Sequence, residues 1–208
     1  MNRLVLDVSA DINESGQFVA VVDDNTYLGK GTEIHKVADG SFNKYIYATD
    51  AKINDSGQWI SLVDEKVYAG TNATAKKVLD LNFSEYVKAA SLSLNESGNW
   101  VAAIDDRIYS SKGDQAPKKL YDQKLSGYAL AASTSIREDG SWVAAVDDEI
   151  LVGLESEAHE KFDGRFSDYV PATAVGMLPR GGFLAIIDDN LYLASSRNLA
   201  RTLLFRSR

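Results

Sequence analysis

The 208-residue chain contains no cysteine. That excludes disulfide staples, thiolate nucleophiles and every cysteine-ligated zinc or iron–sulfur centre. Histidine occurs only twice, at His35 and His159, so a three-histidine metal centre is excluded too. No stretch approaches the ~18 consecutive apolar residues of a membrane span. The first ten residues, MNRLVLDVSA, include Asp7 and lack the apolar run of a secretory leader. Basic residues are outnumbered: 22 Lys and Arg face 30 Asp and Glu, for a net charge of −8. Such a chain is poorly placed to neutralise phosphates, so nucleic acid is not expected as a partner. Phosphate-binding loops, dinucleotide fingerprints and a Ser/His/Asp triad are also missing. The expectation is a soluble, cytoplasmic protein with no membrane contact and no cofactor or metal. The alternative is an extracellular protein whose leader has been removed.

What is present is a repeat. With 45% hydrophobic residues the chain can bury a core, and the core-forming residues recur in register. Five segments align: INESGQFVAVVDDNTY from Ile12, INDSGQWISLVDEKVY from Ile53, LNESGNWVAAIDDRIY from Leu94, IREDGSWVAAVDDEIL from Ile136, and LPRGGFLAIIDDNLY ending at Tyr192. Their glycines, Gly16, Gly57, Gly98, Gly140 and Gly181, are spaced by 41, 41, 42 and 41 residues. A second motif precedes each glycine: FNKYIYATD from Phe42, FSEYVKAAS from Phe83, LSGYALAAS from Leu125 and FSDYVPATA from Phe166, with Leu4 and VLDVSAD as the fifth copy. Five units fill the sequence as one domain, with approximate boundaries 1–41, 42–82, 83–124, 125–165 and 166–208.

One unit reads as four strands. In the third, Val87–Leu94 is a strand of small and apolar residues, and Asn95–Gly98 is a turn whose glycine can take positive φ. Trp100–Ile104 is a buried strand, Asp105–Arg107 a second turn, Ile108–Ser110 a third strand, and Lys118–Tyr121 a fourth. No segment between turns reaches the ~12 residues a helix would want. The central strand is apolar on both faces: Trp100, Ala102 and Ile104 point one way, Val101 and Ala103 the other. Both faces must therefore be covered by neighbouring sheets. An all-β, five-bladed β-propeller follows, with four antiparallel strands per blade and the ring cut between blades.

The segments NESGNWVAA, NDSGQWISL and REDGSWVAA, from Asn95, Asn54 and Arg137, resemble the blade signature of TolB-like and WD-repeat propellers in their glycine, aromatic and apolar pattern. The resemblance covers all five units. It departs from both families, because the serine–proline pair and the glycine–histidine and tryptophan–aspartate dipeptides are missing. It implies that Val87–Leu94 is the innermost strand, consistent with the small residues Ala89, Ala90 and Ser91. It also implies that the ring closes by blade 1 packing on blade 5.

Candidate site residues fall into three groups. Carboxylate pairs recur at Asp23-Asp24, Asp64-Glu65, Asp105-Asp106, Asp147-Asp148 and Asp188-Asp189. The first of each pair is expected to serve the turn. The second, Asp24, Glu65, Asp106, Asp148 and Asp189, would form an acidic face able to attract a partner. Tyr45, Tyr86, Tyr128 and Tyr169 enter the inner strand at that same end, either as an aromatic mouth around the channel or as packing between blades. Asp7 and Asp50 break the repeat on adjacent inner strands. They could line the channel or, by resemblance to five-bladed glycosidases, act as paired acids. His35 and His159 lie in non-adjacent blades and are not a metal site. The arginines of the tail, Arg197, Arg201, Arg206 and Arg208, read as an outer strand or as a docking segment for an acidic partner.

The favoured expectation is a non-catalytic module, a monomer or weak dimer, that docks a protein or peptide on its Tyr/Asp face. A five-bladed lectin binding carbohydrate in pockets between blades is the alternative, and an enzyme built on Asp7 and Asp50 the third. Positions after the carboxylate pair vary (Asn25, Lys66, Arg107, Glu149, Asn190), which favours one partner on an asymmetric face over repeated sugar sites.

Overall fold

In the computed structural model, the described residues are 7–40, 46–81, 86–122, 129–163, 170, 172–179, 181–188, 190–194 and 205–206. They form five antiparallel sheets of four strands, each sheet drawn from consecutive strands. No helix occurs among them. The inner strands are Val8–Ile12, Thr49–Ile53, Ala90–Leu94, Ala132–Ile136 and Thr173–Met177. The second strands are Gln17–Val22, Gln58–Val63, Asn99–Ile104, Ser141–Val146 and Phe183–Ile187. The architecture is the five-bladed β-propeller expected from the repeat.

Two turns set each blade. After the inner strand of blade 3, the Gly98 amide donates to the Asn95 carbonyl at 3.0 Å, while Asn95 Oδ1 accepts from the Asn99 amide at 2.8 Å. Gly98 sits at φ +79, and its four counterparts between +76 and +86, a conformation that L side chains rarely adopt. Between the second and third strands the first carboxylate residue takes positive φ in every blade: Asp23, Asp64, Asp105, Asp147 and Asp188. Aspartate tolerates this region better than most residues. The amides of Asp64, Asp105, Asp147 and Asp188 donate to the carbonyls of Ala48, Ala89, Ala131 and Ala172, so each hairpin is tied to its own inner strand.

The inner strand of blade 3 is shorter than its sequence suggests, starting at Ala90 and not at Val87. The physical reason lies in this tie. The Ala89 carbonyl and the Lys88 amide bond the Asp105 turn instead of a strand ladder.

The core lies between sheets. Trp100, Ala102 and Ile104 pack with Ile60 and Leu62 of blade 2. On the other face, Val101, Ala103 and Ile108 pack with Trp142, Ala144 and Val146 of blade 4. The indole of Trp100 is 1% exposed, and its Nε1 donates to the Gly113 carbonyl at 2.9 Å. Gly70 and Gly153 let the rings of Trp59 and Trp142 approach closely; a Cβ at either would lie within 2.7 Å of an indole carbon.

Neighbouring inner strands are joined by a polar ladder. Backbone amides of one blade donate to side chains of the blade before it: Ala51 to Ser9 Oγ (3.1 Å), Leu92 to Asp50 Oδ2 (2.7 Å), Thr134 to Ser91 Oγ (3.1 Å) and Val175 to Ser133 Oγ (3.0 Å). A second rung links the Ile53 amide to Asp11 Oδ2 and the Met177 amide to Ser135 Oγ. A third runs through Asn13, Asn54 and Asn95, whose Nδ2 groups donate to the carbonyls of Asn54, Asn95 and Arg137.

The expected packing of blade 1 on blade 5 is not made by the described residues. Ile12 is 66% exposed where its counterpart Ile53 is 7% exposed, and Ile186 is 43% exposed where Leu62 is fully buried. Blade 5 carries Ala174, Gly176 and Leu178 at the three ladder positions. It therefore has no polar side chain there to accept from or donate to a following blade.

Candidate functional site

The inner strands of all five blades converge on one mouth, at the end where the carboxylate hairpins lie. A cavity of about 300 Å³ opens there, lined by Asp7, Tyr47, Thr49, Lys88, Leu130 and Thr173 among others. Tyr47 and Tyr86 meet edge to face with ring centroids 5.0 Å apart and an interplanar angle of 73°. They remain 45% and 41% exposed. Two flat, half-exposed rings with hydroxyls, beside a carboxylate and an ammonium, suit a ligand with both apolar and hydrogen-bonding groups.

Of the tyrosine series, Tyr86 is placed against Tyr47, which lines the cavity, and is not itself a lining residue. Tyr45, Tyr128, Tyr169 and Asp189 lie outside the described residues, as do Arg197, Arg201 and Arg208. Tyr47 was not singled out from the sequence. The available signal was its departure from the repeat: Leu6, Lys88, Leu130 and Pro171 hold the same position in the other units.

Asp7 and Asp50 are committed to joining blades. Asp7 Oδ2 accepts from the Thr49 amide at 2.5 Å and from Thr49 Oγ1 at 3.1 Å, while Oδ1 accepts from the Val8 amide. Asp50 Oδ1 accepts from Ser9 Oγ, the Ala51 amide and Lys52 Nζ, and Oδ2 from the Leu92 amide.

Within the carboxylate pairs, Asp24 accepts from Asn25 Nδ2 at 2.7 Å, and Asp106 lies 3.5 Å from Arg107 Nε. Glu65 is buried, and Asp148 is half-buried. The variable residues that follow are tied inward as well. Arg107 approaches Asp122 of its outer strand, Tyr121 donates to Glu149, and Lys66 donates to the Gly40 carbonyl. Their variation is thus absorbed by contacts within and between blades. The non-repeating part of this end is the mouth itself.

Burial pushes the Asp105 carboxyl up to about 6, with Asp106 and Asp64 adding to the rise and the amides of Lys88 and Ala89 opposing it. Burial raises Asp147 in the same way. A folded value above the unfolded one means that ionisation costs stability at neutral pH, and that the cost disappears as pH falls through 6 towards 4. Asn at this position keeps an acceptor and tolerates positive φ. Asp105→Asn is therefore expected to stabilise the protein at pH 7.5 by up to about 2 kcal/mol and to lose that advantage below pH 5. Thermal unfolding of both proteins at the two pH values checks it; equal differences at both would refute the assignment.

Two pockets between blades open at the opposite end, near the glycine turns. One, of about 240 Å³, lies between blades 2 and 3, and the other, of about 560 Å³, between blades 3 and 4. They occupy equivalent positions with different walls: Ala69, Gly70 and Thr71 in the first become Ser110, Ser111 and Lys112 in the second. Among the described residues no group of three His, Asp or Glu side chains could hold a metal ion.

The fold is shared with solved propellers. The whole chain is similar to 73% of a catalytically inactive virginiamycin B lyase from Staphylococcus aureus solved with quinupristin, at TM-score 0.65 and 10% identity. The WD40 β-propeller domain of Doa1 is matched over 98% of this chain and 86% of its own, at TM-score 0.51 and 10% identity. The chain is a β-propeller. A third similar structure is PorZ, a surface component of the type-IX secretion system of Porphyromonas gingivalis, at TM-score 0.61 and 11% identity; the propeller spans 97% of its own length there but only 29% of PorZ. No protein-family model matches the sequence. No curated protein does either.

Proposed function

We propose that the propeller is a non-catalytic binding module that docks a protein or peptide at the channel mouth. The observation that carries this reading is the exposed Tyr47–Tyr86 pair beside Asp7 and Lys88. Aromatic residues held rigidly on strands lose little entropy on binding and are frequent interface anchors. Asp7 and Asp50 both spend their oxygens on joining blades, which favours a scaffold over an enzyme built on them. The differing walls of the two inter-blade pockets favour one partner over five repeated sugar sites.

The test is a displayed peptide library selected on the purified protein, alongside a glycan panel. Selected peptides are expected to lose about 10- to 30-fold in affinity to Tyr47→Ala and to Tyr86→Ala, the range of an interface hot spot. Each variant should unfold about 1–6 °C below the parent, the loss of one edge-to-face ring contact, and stay folded at the temperature of the binding assay. Glycan binding that survives both substitutions would replace this reading with the lectin one.

A further inference from the structure

Blade 3 breaks the repeat where its third strand faces blade 4. Ser110 pairs with Val101, so its side chain shares the face that packs on blade 4. The same register position holds Leu28, Ala69, Val152 and Leu193 in the other blades. Ser110 is 3% exposed and lines the pocket of about 560 Å³ between blades 3 and 4, and its Oγ has no hydrogen-bonding partner among the described residues. A buried hydroxyl in place of an apolar side chain costs stability unless something bonds it. Two lysines that line the pocket share its face: Lys118 pairs with Ser110, and Lys112 pairs with Asn99, two residues before Val101. In the pocket between blades 2 and 3, the equivalent Lys76 donates to the Asp114 carbonyl at 2.9 Å and lies 3.4 Å from Asp114 Oδ2. Blade 4 carries Ser156 at the position of Asp114, directly after the residue whose carbonyl accepts from the tryptophan indole. Lys118 therefore has a serine where Lys76 has its carboxylate. The opposite wall is acidic. Glu138 gives Oε1 to the Glu96 amide, and Asp139 is tied to Arg137 and to the Ser141 amide, which leaves the Glu155 carboxylate for a ligand.

We propose that the pocket between blades 3 and 4 binds a small zwitterion, a free amino acid with an apolar side chain. Its carboxylate accepts from Ser110 Oγ and faces the ammonium groups of Lys112 and Lys118. Its own ammonium group donates to the Glu155 carboxylate on the other wall. Its side chain lies against Trp100 and Ile136, which also line the pocket. A simple anion would meet the acidic wall and a simple cation the two lysines, and like charges brought together weaken binding. Opposite charges on one molecule match both walls. The volume is within the usual range of small-molecule sites. The pocket between blades 2 and 3 is not a second copy of the site, because Ala69 stands for Ser110 there and Lys76 is already paired. The site is independent of the channel mouth, which lies at the opposite end of the blades.

The test is an NMR titration of the full chain with free L-leucine, L-methionine and L-phenylalanine. At least one is expected to move the indole N–H signal of Trp100 but not that of Trp59, and to saturate with a Kd below about 1 mM. Its N-acetyl and carboxamide forms, which each lack one charge, should bind at least about 10-fold more weakly. Ser110→Ala should weaken binding about 10-fold. The same variant should melt at or above the parent temperature, because it removes a buried hydroxyl and installs the residue that blade 2 carries. Ser156→Asp sets a carboxylate beside Lys118, as Asp114 sits beside Lys76, and should weaken binding several-fold. Tyr47→Ala should leave it unchanged. Absence of binding by all three amino acids overturns the proposal. Equal binding of the N-acetyl or carboxamide form would make the ligand a simple cation or anion, and also overturns it. So does binding that survives both Ser110→Ala and Ser156→Asp, or that is lost with Tyr47→Ala, since the ligand would then sit elsewhere.

Discussion

Trp100→Ala is expected to lower the melting temperature by about 8–16 °C, from a loss near 4 kcal/mol and a conversion of about 2–4 °C per kcal/mol at this chain length. The indole lies between blades 2 and 3 among Ile60, Leu62, Leu92 and Ala102. Its Nε1 also closes the loop at Gly113. Alanine removes both contributions and leaves a cavity that β-sheets can scarcely collapse to fill. Trp100→Phe should cost much less, because Phe18 and Phe183 hold this position in blades 1 and 5. Phe18→Ala makes the informative contrast. Phe18 is only half-buried on the open face of blade 1, so its loss should be well under half that of Trp100→Ala. Thermal unfolding of the three variants decides the matter. Equal losses at Phe18 and Trp100 would mean that blade 1 is as covered as blade 3.

Blade structure was legible because it is written five times. The glycine turn, the aspartate with positive φ and the two-faced apolar strand each follow from a local residue preference, and repetition separates these from chance. Ring closure was not legible. A 41-residue period fixes the blade but not the angle between blades, which depends on packing across each interface. The sequence did hold a clue in the loss of Ser or Asp to Ala174 and of Asn to Leu178 in the last unit. Its meaning needed the ladder, since a lone serine on a strand does not say whose amide it will accept. The mouth was half legible. Tyr86 stood out as one of a repeated series, while Tyr47 is a singular residue that only the convergence of strands brings beside it. The unusual acids Asp7 and Asp50 were visible as departures from the repeat, but their work as inter-blade acceptors depends on amides 42 residues away.

Asp50→Ala should then destabilise the protein by about 3 kcal/mol, a fall of about 6–12 °C in melting temperature. The side chain accepts two backbone amides, of Ala51 and Leu92, along with Ser9 Oγ and Lys52 Nζ. Alanine leaves the Leu92 amide facing an empty position at the blade 2–3 interface, and hydrogen bonds to a charged group are the stronger kind. Asp50→Ser is the rescuing substitution, because Ser9, Ser91 and Ser133 fill the same position and bond the next blade through one hydroxyl. It should recover most of the loss and restore slow exchange of the Leu92 amide, which a residue serving catalysis would have no reason to do. The exchange measurement separates the two roles even if the alanine variant unfolds. A chain in which Asp50→Ala changes neither the melting temperature nor Leu92 exchange would have a carboxylate at the channel with no structural duty, and acid–base chemistry would then become the better account of it.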